Sequence, residues 1–231
     1  CGWQIQQNGI TIEEVLNKTL SELLKEDIHV IGASRTDSGV HALGNIAIFD
    51  TETKIPGDKI SYALNQRLPK DITIQGSMEV PEDFHPRYCN STKTYEYKIL
   101  NRRFDIPLYR INTHFVYMSL NLELMQEAAR YLIGEHDFRS FCTPRTDKTD
   151  FVRTIYKLEV SKRDEIITIQ IIGNGFLYNM VRIIAGTLIK VGLKIYPPRH
   201  IKEILEKKDR QAAGPTAPGR GLTLVEIKYE D

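Results

Sequence analysis

The longest apolar stretch of the sequence, residues 175–191, limits what the chain can fold into. Asn179, Arg182 and Lys190 interrupt the stretch. A membrane-spanning helix needs about 20 predominantly apolar residues with few or no charges, and this segment does not meet that requirement. It is therefore predicted to be a buried helix of a globular domain, and no membrane partner is expected.

Arg182 carries a permanent positive charge within this apolar segment, and that charge needs a partner or access to solvent. An arginine cannot lose its charge, and burying it without a partner costs several kcal/mol. One interpretation is that its side chain reaches solvent beside Asn179 and Lys190. The other is that it faces a buried carboxylate or an anionic substrate. An arginine partner lowers the pKa of an aspartate by about 1–3 units and keeps it ionised.

Length and composition indicate a globular protein but do not identify its binding partner. The 231 residues suffice for one large domain or two fused halves, and the net charge of +1 does not indicate a nucleic-acid partner. Three cysteines, Cys1, Cys89 and Cys142, lie far apart, and the six histidines show no metal-ligand spacing. We therefore predict a reducing, cytoplasmic location, with neither a disulfide framework nor a bound metal.

Patterns typical of helices and of strands alternate in both halves of the chain. Thr11 to Glu14 form a capping box before one helix. Asn121 caps another helix, which Gly134 is expected to end. Further helices are predicted at 56–68, 176–191 and 199–208, and strands at 28–33, 43–49, 71–80, 94–99, 154–160, 166–172 and 222–229.

A polar loop that contains Arg35, Asp37 and Gly39 separates two of the predicted strands. Functional side chains are often carried by loops at strand ends. Aspartate and glycine are also typical of ordinary turns, for which they need no functional role. The local pattern leaves both interpretations of Asp37 open.

Tyr95 and Tyr97 share one face of their predicted strand, and basic residues flank them. Such an arrangement can stack an unpaired base while neutralising phosphates, whereas core packing of the two rings and solvated surface charge are the alternatives. A second basic group surrounds a predicted loop and has the same two interpretations. The first group is Arg87, Lys93, Lys98, Arg102 and Arg103, and the second is Arg139, Arg145, Lys148 and Arg153.

Taken in order along the chain, these segments resemble the TruA family of tRNA pseudouridine synthases. Residues 35–42, Arg-Thr-Asp-Ser-Gly-Val-His-Ala, match the family signature Arg-Thr-Asp-x-Gly-Val-His-Ala, whose aspartate is the nucleophile. Residues 176–186 are similar to Phe-Leu-x-x-Met-Val-Arg-x-x-x-Gly, whose arginine pairs with that aspartate. Tyr95 and Tyr97 lie where the family has Tyr-x-Tyr, with the first tyrosine in the substrate pocket. Shorter matches lie at 2–6, 65–72, 84–87 and 217–224.

The resemblance implies an α+β fold of two ferredoxin-like halves whose strands merge into one continuous antiparallel sheet, with helices on one face and a central active-site cleft. The halves would span residues 1–105, with the Asp37 loop, and 106–231, with the arginine-bearing helix. The family has a strand before its Gly-Trp-Gln block, which here begins at Gly2. We therefore expect additional residues before Cys1 in the native protein.

The resemblance also implies the activity and the roles of individual residues. The enzyme would isomerise uridine to pseudouridine at positions 38–40 of the anticodon arm of tRNA, as a homodimer. Since pseudouridine is an isomer of uridine, the reaction needs no redox cofactor and no metal. Asp37 would act as nucleophile or base, Arg182 would keep it ionised, and Tyr95 would stack on the flipped base. Arg35 would hold the flipped state, because base extrusion costs a few kcal/mol.

Two other functions are compatible with these residues. A catalytically inactive tRNA-binding or chaperone protein could have the same fold, although it would not need the Asp37 and Arg182 pair. A hydrolase of small glycosides would need a second carboxylate near Asp37, and the sequence shows no compelling candidate.

Overall fold

The computed structural model describes residues 1–144 and 149–230, which divide into two compact units. The first unit comprises Cys1–Ser38 and Asn45–Cys89, and the second comprises Gly39–Gly44 and the chain from Asn90 onward. The predicted halves, 1–105 and 106–231, stay a prediction about family architecture. By packing alone, the segment from Asn90 to residue 105 belongs with the second unit.

Helices are interspersed with groups of strands along the described residues. In chain order the elements are α1 (Ile12–Leu24), β1 (Ile31–Gly32), β2 (His41–Ala42), β3 (Ala47–Ile48), α2 (Gly57–Asn65), β4 (Ser91–Asn101), β5 (His114–Val116), α3 (Leu122–Arg130), β6 (Gly134–Asp137), β7 (Val152–Arg163), β8 (Ile166–Gly173), α4 (Met180–Gly192), α5 (His200–Lys207) and β9 (Leu222–Tyr229). The predicted α+β class is confirmed.

The first unit packs α1 and α2 around a small apolar core that includes Trp3, Leu20 and Leu64. The predicted cap of α1 is confirmed at Thr11, whose hydroxyl accepts from the Glu14 amide at 3.3 Å. Strands β1 and β3 pair antiparallel over only two residues each. The unit therefore depends more on helix burial than on sheet pairing.

The strands predicted in the first unit are shorter in the structure because side chains take their backbone hydrogen bonds. The amides of Ile28 and Val30 donate to Ser21 and Asn17 of α1 at 2.9 and 2.8 Å. The strand predicted at 71–80 is wrong, since no strand forms within this described segment. Asn65 binds both backbone groups of Ile74 there, each at 2.8 Å, in place of a neighbouring strand.

The second unit is built on a mostly antiparallel sheet of seven strands, in the order β2-β9-β4-β8-β7-β6, with β5 beside β4. Two pairings are parallel, β2 with β9 and β4 with β5. Seven of the nine strands in the described chain thus form the expected single sheet, while β1 and β3 pair separately.

One face of this sheet carries the core of the second unit. Tyr97, Ile169 and Leu222 lie on that face and are buried against α3 and α4. The opposite face is polar and includes Glu96, which pairs with Lys98 at 3.5 Å. This alternation is what the period of two along a strand requires of a sheet with one buried face.

Several helix boundaries differ from the sequence-based prediction, and α2, for example, ends at Asn65 rather than at residue 68. Helix α4 begins at Met180 rather than at residue 176, because Asn179 has a left-handed backbone (φ 62°) that cannot continue a helix. Helix α3 ends at Arg130, so Gly134 does not close it. Gly134 instead begins β6 with φ of 105°, a conformation that favours glycine.

Candidate active site

The loop that carries Asp37 is held at its backbone by the start of the chain. The Trp3 amide donates to the Thr36 carbonyl at 3.0 Å, and the Gly2 carbonyl accepts from Ile12 at the start of α1. A Cβ atom on Gly2, which has φ of 71°, would lie 2.8 Å from the Thr36 carbonyl oxygen and 3.0 Å from the Asp37 carbonyl carbon. Only glycine allows this close approach of the two backbones. Gly2 therefore lets the Asp37 loop pack directly against the start of the chain.

Two further contacts fix the ends of the same loop. Asn45 bridges to Ser34: its amide nitrogen donates to the Ser34 carbonyl at 3.0 Å, and its oxygen accepts from the Ser34 amide at 3.2 Å. The Arg87 side chain donates through Nε to the Gly32 carbonyl at 2.8 Å. Asp37 is half-buried and Arg35 is exposed on this anchored loop.

The motif that contains Asp37 divides between the two units after Ser38. In the second unit, His41 and Ala42 form β2, which pairs with β9. The His41 ring nitrogen Nε2 lies 2.7 Å from the Ile111 carbonyl oxygen, and the Leu43 amide donates to Leu224 at 2.8 Å. The end of the motif, at His41 and Ala42, is therefore fixed by sheet pairing.

Arg182 is half-buried on α4, and protein oxygens accept from its guanidinium. Its Nε donates to the Ala217 carbonyl at 2.7 Å, and its Nη1 donates to the Asn179 side-chain oxygen at 2.8 Å. The Arg182 carbonyl in turn accepts from the Ala217 amide at 3.1 Å. These bonds favour a fixed guanidinium over a side chain that extends into solvent.

The loop that binds Arg182 is itself tightly held. Arg210 donates to the Gly214 carbonyl at 2.9 Å and to the Thr216 hydroxyl at 3.1 Å. The Gly214 amide donates to the Thr187 hydroxyl of α4 at 2.9 Å. The loop therefore presents the Ala217 carbonyl to Arg182 from a defined position.

Tyr97 belongs to the core and is not part of a stacking surface. Its side chain is fully buried, and its hydroxyl donates to the Pro218 carbonyl at 3.0 Å. Burial raises the pKa of the Tyr97 hydroxyl, and the charges of Arg182 and Arg220 offset only part of that effect. The alternative of core packing is thus correct for Tyr97.

Tyr95, two residues earlier, is only half-buried. Its ring packs edge to face against Phe176, with centroids 5.2 Å apart and planes at 85°. Phe176 lies in the segment just before α4, so this contact relates the family's first tyrosine to the segment that leads to Arg182. Tyr95 stays a candidate for contact with a base.

The predicted basic groups are partly neutralised within the protein. Lys98 pairs with Glu96 at 3.5 Å, and Arg102 pairs with Glu165 at 3.0 Å. In the second group, Arg153 pairs with Asp150 at 3.0 Å, and Arg139 lies 3.6 Å from Asp137. Arg87 and Arg103 are exposed. Arg145 and Lys148 lie outside the described residues.

The residues that support the candidate site carry little signal in the sequence. Asn179 was visible only as a polar interruption of the apolar stretch, although it precedes Arg182 by three residues, a spacing at which helical side chains meet. Asn45, Ala217 and Arg210 gave no local signal, because their partners are distant in sequence or are backbone atoms.

The described part of the chain contains neither a metal-binding group of side chains nor a membrane-spanning helix. Among residues 1–144 and 149–230, no three His, Cys, Asp or Glu side chains form a group that could hold a metal ion. Within the same ranges, no helix combines the length and apolar character that crossing a membrane requires.

Comparison with known proteins gives consistent similarities along the whole chain. The sequence profile of the family described as "tRNA pseudouridine synthase" matches residues 2–89 and 128–230. The chain is 52% identical over 229 residues to tRNA pseudouridine synthase A of Ruminiclostridium cellulolyticum (strain ATCC 35319 / DSM 5812 / JCM 6584 / H10), covering 99% of this chain and 94% of that protein. It is 48% identical over 228 residues to the protein of the same name from Thermoanaerobacter sp. (strain X514), with 99% and 93% covered.

Proposed function

The chain belongs to the tRNA pseudouridine synthase family, and from this membership we propose that it isomerises uridine to pseudouridine at positions 38–40 of the anticodon arm of tRNA. The observation that carries the proposal is the family's aspartate motif on an anchored loop, with Asp37 half-buried beside the Gly2-Trp3 backbone.

The isomerisation has three chemical requirements. The N1–C1′ bond breaks, the uracil turns, and C5 bonds to C1′; C5 then loses its proton and N1 gains one, so that the product is an isomer. We assign the catalytic carboxylate to Asp37, which acts by attack on the nucleotide or by abstraction of a proton. An anchored loop favours either role, because displacements of about 1 Å from the reactive geometry can reduce rates about 100-fold.

The other three residues are assigned to binding and orientation. Arg182 stabilises the negative charge of the catalytic carboxylate, a role supported by its two fixed guanidinium bonds. Tyr95 stacks on the flipped uracil, which its half-buried position permits. Arg35, exposed on the Asp37 loop, stabilises the extruded state, whose formation costs a few kcal/mol.

The proposed partner is tRNA, bound by an enzyme that acts as a homodimer in the cytoplasm without a metal or redox cofactor. The family and its relatives support the tRNA substrate, whereas the dimer follows from family resemblance alone. Arg103 and Arg87, whose Nε binds the Gly32 carbonyl, are exposed residues and candidates for phosphate contacts.

The direct test is conversion of an unmodified tRNA transcript by the purified protein, with pseudouridine mapped at each position. We expect pseudouridine at positions 38–40 with the wild-type protein. Asp37→Asn keeps the shape of the side chain and removes its charge, so tRNA should still bind while pseudouridine formation disappears.

The same assay separates the alternative functions. A binding or chaperone protein would bind the transcript and form no pseudouridine with either variant. A hydrolase of small glycosides would leave the transcript unmodified and would instead cleave a small glycoside substrate. Substantial turnover by Asp37→Asn, in a preparation shown to be free of wild-type enzyme, would contradict the assignment of Asp37.

A further inference from the structure

We propose that Asn179 is a positioning residue that sets the orientation of the Arg182 guanidinium for the isomerisation. The inference rests on the proposed function, since it concerns the arginine assigned to the catalytic carboxylate. Its basis is geometric and lies wholly within the second unit.

The side-chain amide of Asn179 is bonded at both ends. Its oxygen accepts from Arg182 Nη1 at 2.8 Å, and its nitrogen donates to the Thr143 hydroxyl at 2.9 Å. Thr143 is held in turn by its backbone amide, which donates to the Tyr178 carbonyl at 3.1 Å. The Asn179 amide therefore links Arg182 to Thr143, and Thr143 is itself bonded to Tyr178, the residue just before Asn179.

Asn179 occupies the N-cap position of α4, where asparagine normally caps the helix. There the side-chain oxygen usually accepts from a backbone amide of the first turn. In this protein it makes no such capping bond. The oxygen is instead directed to the guanidinium, so a general capping preference does not explain its position.

The backbone of Asn179 adds a second constraint. Its φ of 62° and ψ of 6° lie in the left-handed region, which asparagine and glycine tolerate best among the residues. This conformation begins α4 at Met180 and places the side chain beside Arg182, one helical turn later.

Two fixed bonds define the plane of a guanidinium. The Ala217 carbonyl binds Nε, and Asn179 binds Nη1. Loss of the Asn179 bond removes one of the acceptors that oppose rotation of the guanidinium about the bond from Nε to the central carbon. We expect that loss to lower kcat more than it raises KM, because substrate binding does not depend on one guanidinium angle.

Glycine and aspartate variants separate the side chain from the backbone. Asn179→Gly keeps the left-handed backbone and removes the acceptor, and we expect kcat to fall roughly 10–100-fold with little change in KM for tRNA. Asn179→Asp restores an oxygen acceptor for Arg182 that can also accept from the Thr143 hydroxyl. It should recover most of the lost kcat.

A matched control comes from the other end of α4. Lys194 also has a left-handed backbone, with φ of 61°, and its side chain is exposed. Lys194→Gly introduces the same backbone freedom without removing a bond to Arg182, and should keep wild-type kcat. Thermal unfolding of all variants checks that each is folded at the assay temperature.

A readout that does not need turnover is nitrogen NMR of the arginine side chains, with the Arg182 signals assigned by Arg182→Lys. We expect slow rotation of the Arg182 guanidinium in the wild-type protein and in Asn179→Asp, and faster rotation in Asn179→Gly. Wild-type kcat and unchanged rotation in a folded Asn179→Gly protein would overturn the inference. Absence of pseudouridine with the wild-type protein would instead overturn the proposed function, while the rotation measurement still decides the role of Asn179.

Discussion

Tyr97 on β4 and Arg182 on α4 donate to the carbonyl oxygens of two consecutive residues. The Tyr97 hydroxyl binds Pro218 at 3.0 Å, and Arg182 Nε binds Ala217 at 2.7 Å. One short loop thus links the sheet to the helix that carries the candidate arginine. Because Tyr97 is fully buried, the sheet side of this link lies within the packed core.

Removing the Tyr97 hydroxyl should weaken this link. In Tyr97→Phe the Pro218 carbonyl loses its donor, and we expect the free energy of unfolding to fall by about 1–2 kcal/mol. Urea denaturation at neutral pH measures the change. Tyr117→Phe, on a side chain that is 66% exposed, is the control and should leave the midpoint unchanged. Equal midpoints for both variants would mean that the hydroxyl contributes nothing to stability.

Gly32 should tolerate no larger residue, because a Cβ there would overlap the ring of Trp3. Gly32→Ala is expected to lower the free energy of unfolding by about 1–3 kcal/mol through overpacking. It should also lower pseudouridine formation, since β1 leads directly into the Asp37 loop. Gly76→Ala is the matched control, because no atom beyond its neighbours in the chain lies within 4 Å of the added methyl group. If both variants unfolded at the same urea concentration, the packing argument would be wrong.

Replacement of Arg182 should abolish most activity. Arg182→Ala removes the guanidinium, and Arg182→Lys should not restore full activity, because an ammonium lacks a planar fork of donors. If Asp37 and Arg182 act as a unit, Asp37→Asn with Arg182→Ala should be little slower than either single variant. Single-turnover kinetics with tRNA transcripts measure all four proteins. Near-normal activity of Arg182→Ala would remove this residue from the mechanism.

His114 should make stability depend on pH in the mildly acidic range. Burial lowers its pKa, and the charge of Arg220 lowers it further. The unfolded chain binds this proton near pH 6.5, above the folded pKa, so stability rises with pH between the two values. The contribution is therefore fully present above about pH 6.5 and is lost as the pH falls through the folded pKa.

The variant His114→Phe tests this assignment. A phenyl ring can keep the edge contact with Tyr97, whose centroid lies 6.2 Å away, but it cannot take up a proton. We expect a smaller decrease of the urea midpoint between about pH 7 and pH 5 than in the wild-type protein. His29→Gln, on a side chain that is 76% exposed, should retain the wild-type decrease. A decrease as large in His114→Phe as in the wild type would assign the pH dependence to other groups.

Much of the secondary structure was predictable because its causes are local. The caps at Thr11 and Asn121 and the apolar spacing that follows them predicted α1 and α3. The long strands β7 and β8 showed alternation over enough residues to be recognised. The strand predicted at 71–80 failed because its apolar pattern gave no sign that Asn65 would take the hydrogen bonds of Ile74.

The sequence by itself determined the family, the position of Asp37 in its motif and the α+β class, because motif order and periodicity are properties of consecutive residues. Only the tertiary structure decided that Tyr97 is buried while Tyr95 is half-buried, although both lie on the same face of β4. The tertiary structure also brings the Ala217 carbonyl to Nε of Arg182 and the Asn179 oxygen to its Nη1. The physical reason is that a guanidinium is oriented by acceptors that reach it through folding, and a carbonyl 35 residues away leaves no pattern in the chain.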